Sequence, residues 1–143
     1  MKTFFTSIVF SLLSLPMIFA QNNIEVSGGD NWIGYMNVFF LDGNYDFGSA
    51  WGVPDLKSTP NAGANTLTLQ PNFNTYADNP TDPNWVNQTT GEGNKNLEAL
   101  TFVEPGATFN GQDLTFSGTV QAYTLDDSYT VQYFIKALDP DNG

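Results

Sequence analysis

Alternating apolar and polar residues, the pattern of a half-buried β-strand, are clearest in the carboxyl-terminal third of the chain. Residues 114–121 place Leu, Phe, Gly and Val on one side and Thr, Ser, Thr and Gln on the other, which predicts a strand with one buried face. Residues 129–138 also alternate, but both of their sides carry apolar residues. We therefore expect this second strand to lie near the centre of a sheet, with Asp126, Asp127 and Ser128 forming the turn between the two.

Four earlier segments also have the composition of strands. Residues 33–41 and 45–51 are rich in aromatic and aliphatic residues and flank an Asp-Gly-Asn turn centred on Gly43. This is a hairpin signal, because glycine adopts positive φ at little cost. Residues 66–70 and 97–104 have the same strand composition.

The spacing of these strands predicts the fold class. Gly, Asn, Asp and Pro recur about every ten residues, and no stretch after residue 20 has a convincing helical pattern. About seven or eight short strands at this spacing predict an all-β fold, a two-sheet β-sandwich of jelly-roll or immunoglobulin-like topology. Of the two, we favour the jelly-roll.

Two segments fall outside the strand pattern. Residues 1–20 combine Lys2, a short apolar run and a small residue at Ala20, which predicts a secretory signal peptide and not a membrane span. We thus expect a secreted protein with one domain, residues 21–143, no membrane attachment after cleavage, and a last strand that is dispensable or lies beyond Gly143. Residues 71–96 form a long polar stretch with aromatic residues, typical of a functional loop.

The composition excludes several classes of ligand and of catalytic group. The chain has 15 acidic residues, 4 lysines, and no Arg, His or Cys. The part after residue 20 keeps three of the lysines and all the acids, so its net charge is −12. Without Arg it lacks the bidentate fork that binds phosphate and uronate groups, so nucleic acids and polyanionic glycans are poor ligand candidates. Imidazole bases, thiolate nucleophiles and His-ligated zinc are excluded, and no disulfide can stabilise the fold.

Two carboxyl-terminal segments resemble a known group of proteins. Residues 111–120 (GQDLTFSGTV) and 129–139 (YTVQYFIKALD) are similar to the later strands of secreted bacterial carbohydrate-binding modules of the CenC-like, galactose-binding-like jelly-roll group. With the turn between them, the two segments span about a quarter of the chain after the signal, and the resemblance concerns a strand pair, not a site. It implies a sandwich that stacks sugar rings on aromatic side chains, often with a structural calcium ion.

Several loop residues could form a sugar site. Aromatic rings bind the apolar faces of sugars, while amides and lysine bond the hydroxyls. Aromatic residues that lie among turn-forming residues are expected to be exposed, whereas Trp51 ends an apolar strand and is expected in the core. The alternative is that the loop aromatics fasten loops to the sandwich, and that the lysine forms a surface ion pair with Glu92 or Glu98. The candidate ligand-binding residues are Trp32, Tyr76, Asn84, Trp85, Asn87 and Lys95.

The acidic residues are compatible with two kinds of site, a metal site and a hydrolytic site. Calcium takes six to eight oxygen ligands, and our candidate ligands are Glu25, Asp42, Glu104 and Asp139, although ordinary solvation explains acidic side chains equally well. A carboxylate pair can hydrolyse glycosides, but no spacing singles out a pair. The sequence therefore favours a non-catalytic module, monomeric or part of a longer chain, that binds a neutral polysaccharide. The alternatives are an adhesion or structural module and, less favoured, a carboxylate-dependent glycoside hydrolase fragment.

Overall fold

The computed structural model describes residues 22–138, which form two compact units. One unit comprises residues 24–112, and the described part of the other comprises residues 22–23 and 113–138. The fold is all-β with little helix. The strands are β1 (Asn22–Asn23), β2 (Ile33–Phe40), β3 (Tyr45–Ala50), β4 (Ser58–Asn61), β5 (Thr66–Leu69), β6 (Lys95–Phe102) and β7 (Leu114–Thr115), with a short helix α1 (Asn74–Asp78) and a 3₁₀ helix (Gly106–Phe109).

An antiparallel sheet of order β3-β2-β6 organises the larger unit. Strand β2 lies in the middle and alternates strictly, with Gly34, Met36 and Val38 buried and the residues between them half-buried. The predicted hairpin between β2 and β3 is confirmed. Its Gly43 has a φ of 88°, and the backbone N–H of Asn44 donates to the Asp42 carboxylate at 2.9 Å.

A β-bulge interrupts the pairing of β2 with β3. Val38 pairs with Phe47, but Phe39 pairs with Tyr45, so Asp46 is the extra residue. A bulge bends its strand and changes the direction of the side chain at the extra position. Here it brings the Asp46 carboxylate to the side of the sheet on which Phe47 packs, as its contact with Lys95 described below shows.

The core lies on the inner face of this sheet. Met36, Val38 and Leu56 are fully buried. Half-buried side chains surround them, and Trp51 is one of these, which confirms its expected core position. Gly34 is required because a Cβ there would collide with the Trp51 carbonyl oxygen. The packed neighbours are Phe47, Trp51, Trp85 and Leu97.

A second, two-stranded sheet is the antiparallel hairpin β4–β5. The sequence predicted β5 but not β4. A hydrogen bond of 2.6 Å joins the Ser58 and Thr101 hydroxyls, linking this hairpin to β6. At the hairpin tip, the Asn65 side chain accepts a hydrogen bond from the backbone of Gly28 at 2.9 Å.

The strand predictions succeed in the larger unit and fail in the smaller one. Strands β2, β3 and β5 match within one residue, and β6 begins and ends two residues earlier than expected. In the smaller unit, β7 pairs in parallel with β1 over two residues, and the structure assigns no strand to residues 116–138. The predictions for 116–121 and 129–138 are therefore wrong in this structure, and the jelly-roll topology stays a prediction.

The predicted turn in the smaller unit is confirmed. The backbone N–H of Tyr129 donates to the carbonyl of Asp126, and that of Ser128 donates to the Asp126 carboxylate, each at 3.0 Å. Hydrogen bonds from the backbone and then the side chain of Ser128 hold the pKa of Asp126 below its ordinary value, because they stabilise the ionised form. The side chains that follow, from Tyr129 to Leu138, are exposed.

Candidate functional site

The long polar loop, residues 70–94, is held in a defined conformation by local hydrogen bonds. The backbone N–H groups of Trp85 and Val86 donate to the carbonyl of Asp82, at 3.1 and 2.9 Å. The side chain of Asn87 accepts bonds from the backbone of Thr89 and Thr90. These local bonds are the ones that Asp and Asn form in turns, and they explain how a stretch with little regular structure keeps a defined path.

Trp85 fastens this loop to the core. Its ring packs against the cluster of Met36, Val38 and Leu56, and it meets Phe47 edge-to-face with centroids 6.0 Å apart and an interplanar angle of 72°. A ring engaged on the core in this way is only half-exposed. The structure thus supports the alternative interpretation of Trp85, as a loop anchor.

Tyr76 and Trp32 also form hydrogen bonds within the protein. The Tyr76 hydroxyl donates to the backbone carbonyl of Lys95 at 2.7 Å, and its ring covers Gly93, where a Cβ would lie 2.9 Å from the ring. The Trp32 indole N–H donates to the carbonyl of Ser27 at 3.1 Å and closes a separate turn. Both side chains are half-buried and fix the path of a loop.

Lys95 is buried and faces the inner side of the sheet. Its Nζ lies 2.7 Å from the Asp46 carboxylate, with side chains 5% and 24% exposed, and 3.8 Å from the centroid of the Phe40 ring. The predicted ion pair with Glu92 or Glu98 is therefore wrong. The bulge supplies the partner, and the Phe40 ring lies over the ammonium, so little of the Lys95 side chain is exposed to a ligand.

The two asparagines differ. Asn84 is exposed, and its backbone N–H donates to the Asp82 side chain at 2.8 Å, whereas Asn87 uses its side-chain oxygen within the loop. The structure therefore brings five of the six predicted ligand-binding residues to one loop and its junction with β6. Most of their polar groups bond within the protein, and Asn84 keeps an exposed side chain.

The candidate calcium ligands do not come together in the described chain. Glu25 and Glu104 are exposed, and the Asp42 carboxylate accepts bonds from the backbone and side chain of Asn44. Asp139 lies outside the described residues. Between residues 22 and 138, no group of three or more acidic side chains is arranged to hold a metal ion. The calcium prediction is not supported by this geometry and stays a prediction.

The opposite, outer face of the sheet carries a group of residues that the sequence analysis missed. Along β2, Tyr35, Asn37 and Phe39 alternate with the buried residues and so point away from the core. The register places residues of β3 and β6 beside them on the same face. We define the outer face as Tyr35, Asn37, Phe39, Tyr45, Gly48, Asn96, Glu98 and Leu100.

The aromatic side chains of the outer face rest on one another. Phe39 and Tyr45 meet edge-to-face with centroids 5.7 Å apart and an interplanar angle of 77°. A Cβ on Gly48 would lie 2.7 and 2.8 Å from the hydroxyl oxygens of Tyr35 and Tyr45. Both hydroxyls therefore reach over the same glycine, and Gly48 provides the space in which they meet.

Polar groups lie beside these rings. The Asn37 side-chain amide donates to the Glu98 carboxylate across the β2–β6 pair at 2.8 Å. Asn96 is exposed opposite Phe39, and Tyr45 is 58% exposed. The sequence signal was present in the alternation of residues 35, 37 and 39, but a strand with apolar residues on both faces does not reveal which face is inside.

Comparisons with protein-family models, with curated proteins and with solved structures found no match to this chain. Among residues 22–138, no helix has the length and apolar character needed to cross a membrane.

Proposed function

We propose that this chain is a non-catalytic carbohydrate-binding module that binds a neutral polysaccharide on the outer face. The observation that carries the proposal is the grouping of three aromatic rings, two tyrosine hydroxyls, two amides and a carboxylate on one side of a sheet. Sugars present apolar C–H faces edged by hydroxyls. A surface that mixes rings with hydrogen-bonding groups is complementary to both.

Charge supports a neutral ligand. The part of the chain after residue 20 has a net charge of −12 and no Arg, so it repels polyanions over the range of the Debye length. None of the residues that define the outer face is a lysine. Lys95 is paired with Asp46 on the inner side, and Lys57 lies over the Phe73 ring. The outer face therefore offers no cation for a sulfate or uronate group.

The carboxylate content supports binding without hydrolysis. A glycosidase of the common type needs two carboxylates that flank the scissile bond. Glu98 is the only carboxylate among the residues that define the outer face, and its Oε2 accepts a bond from Asn37. One carboxylate can orient a sugar hydroxyl but cannot supply both the acid and the nucleophile or base.

The test is calorimetric titration of the chain with a panel of neutral polysaccharides, such as β-glucan, xylan and galactomannan, and with uronate and sulfate polymers. We expect binding to at least one neutral polymer and no release of reducing sugar. Tyr35→Ala and Tyr45→Ala should each weaken that binding by about 1–2 kcal/mol, because each removes a contact surface for a sugar ring. Release of reducing sugar would contradict the proposal, and so would binding to the anionic polymers alone.

A structural or adhesion role is the second candidate, because one observation favours it. Tyr129, Val131, Tyr133 and Ile135 are exposed at 47, 45, 64 and 46% in the smaller unit, and apolar surface of this kind is typical of contacts with other protein segments. Sedimentation would test it. Self-association combined with no glycan binding would favour the structural role over the carbohydrate-binding one.

Secretion and calcium belong to the same proposal. Detection of the chain outside the cell with residues 1–20 removed would support export. A calcium ion that stabilises the fold should raise the melting temperature when added after chelation, and an unchanged melting temperature would remove calcium from the proposal.

A further inference from the structure

Glu98 is the charged group of the outer face. It lies on β6 directly opposite Asn37 and is exposed. The side-chain amide of Asn37 donates to its Oε2 at 2.8 Å, which holds the carboxylate between the positions of Tyr35 and Phe39 along β2. A ligand that spans the two rings must therefore pass the carboxylate.

Among residues 22–138, Glu98 takes part in no ion pair. The described ion pair is that of Lys95 with Asp46 on the inner side, and Lys57 lies over the Phe73 ring. A carboxylate that is not paired with a cation attracts a cation from the ligand and repels an anion. The rings beside it favour the same sign of charge, because an ammonium is attracted to the face of an aromatic ring.

The inner side of the sheet shows that this combination holds an ammonium group. There the Lys95 Nζ lies between the Asp46 carboxylate, at 2.7 Å, and the Phe40 ring, at 3.8 Å from its centroid. The outer face presents the same two kinds of group, a carboxylate and aromatic rings, to solvent. The residues that define the outer face include no ammonium group.

We propose that Glu98 makes the outer face select polysaccharides by charge. It binds chains with free amino groups more tightly than neutral chains of the same backbone, and it disfavours chains with uronate or sulfate groups. This inference rests on the proposed function and names the residue that sets the specificity of that site.

The test uses pairs of polymers that share a backbone and differ in charge. Chitosan is compared with its N-acetylated form, and carboxymethylcellulose with hydroxyethylcellulose. For the unmodified chain we expect the amino polymer to bind up to about fivefold more tightly than its neutral partner, since a partly exposed ion pair has this strength. The carboxylated polymer should bind correspondingly more weakly than its neutral partner. Both differences should shrink as salt is added.

Glu98→Gln keeps an acceptor for Asn37 and removes the charge. We expect it to shrink both differences, each measured as the ratio of the two affinities within a pair, so that a change in the affinity for the neutral polymer does not enter the comparison. Asp78→Asn is the matched control, because Asp78 is exposed at the end of α1 and off the outer face. It removes the same charge from the chain and should leave both differences intact. The salt dependence of the unmodified chain is a second measurement that does not depend on the variant folding.

The outcomes separate the inference from the function on which it rests. Equal affinities within each pair would overturn the inference, and so would differences that Glu98→Gln leaves at full size or that Asp78→Asn reduces as much. In those cases binding to the neutral polymers leaves the proposed function standing. If the unmodified chain binds no polymer in this set or in the neutral panel, the proposed function is wrong and the inference falls with it.

Discussion

The two faces of the β3-β2-β6 sheet use aromatic residues in opposite ways. On the inner face, Trp85 and Phe47 pack edge-to-face against a fully buried cluster. On the outer face, Phe39 and Tyr45 meet in a similar edge-to-face geometry, but Tyr45 is 58% exposed. Trp85, which packs on the core, comes from a loop, whereas the exposed Tyr45 comes from a strand. The role of an aromatic residue in this sheet therefore depends more on which face it contacts than on whether its segment is a loop.

The first prediction concerns the inner face. Trp85→Ala removes a ring that packs on Met36, Val38 and Leu56, and it should lower the free energy of unfolding by about 3 kcal/mol, since deleting a packed aromatic side chain costs about that much. Denaturant unfolding measures the change, and glycan affinity per folded molecule should be unchanged. A loss of affinity without a loss of stability would make Trp85 a ligand platform and reverse the assignment of the two faces.

The next effect concerns the ion pair at the edge of the inner face. Asp46→Ala leaves the Lys95 ammonium, 5% exposed, without a carboxylate. We expect a loss of about 2 kcal/mol, less than for a fully buried pair because Asp46 is partly exposed. The double variant Asp46→Ala, Lys95→Met removes both charges and should recover much of the loss. A single variant as stable as the unmodified protein in urea unfolding would show that the pair is screened by water.

The hairpin of this sheet could be predicted from the sequence, because its information is local. Gly43 adopts the positive φ that the turn requires, and the flanking residues have strand composition. The Lys95 pair could not be predicted in the same way. It depends on the bulge at Asp46, which shifts the register by one residue, and nothing in the local pattern marks that shift. The sequence suggested Glu92 and Glu98 because they are near in the chain.

In the carboxyl-terminal segment, the sequence predicted a strand that the structure does not contain. Residues 129–138 have the clear alternation of a strand, but a strand also needs a partner for its backbone hydrogen bonds. In the structure, these residues form no strand. The outer face could not be located from the sequence either, because β2 is apolar on both sides and alternation alone does not say which side the core covers.

A smaller effect tests the outer face. Gly48→Ala places a Cβ within 3 Å of the Tyr35 and Tyr45 hydroxyls, which are the far ends of side chains that can move. We therefore expect a loss of stability of about 1 kcal/mol or less, near the low end for added volume, together with a measurable loss of glycan affinity as the hydroxyls separate. Gly63→Ala is the control, since the nearest atom to its Cβ would be 3.5 Å away. Unchanged affinity in Gly48→Ala would show that the tyrosine hydroxyls do not contribute to binding.

The smallest effect tests whether the loop retains any part of the binding site. Asn84 is the sequence-predicted ligand residue whose side chain remains exposed, and the local hydrogen bond at this position is made by its backbone N–H, which alanine keeps. Asn84→Ala should therefore change the free energy of unfolding by less than about 0.5 kcal/mol, as surface substitutions generally do. If the outer face binds the glycan, calorimetric affinity should also stay the same. A loss of affinity comparable to that of Tyr45→Ala, at unchanged stability, would place the site on the loop, because no loss of folding could then account for the weaker binding.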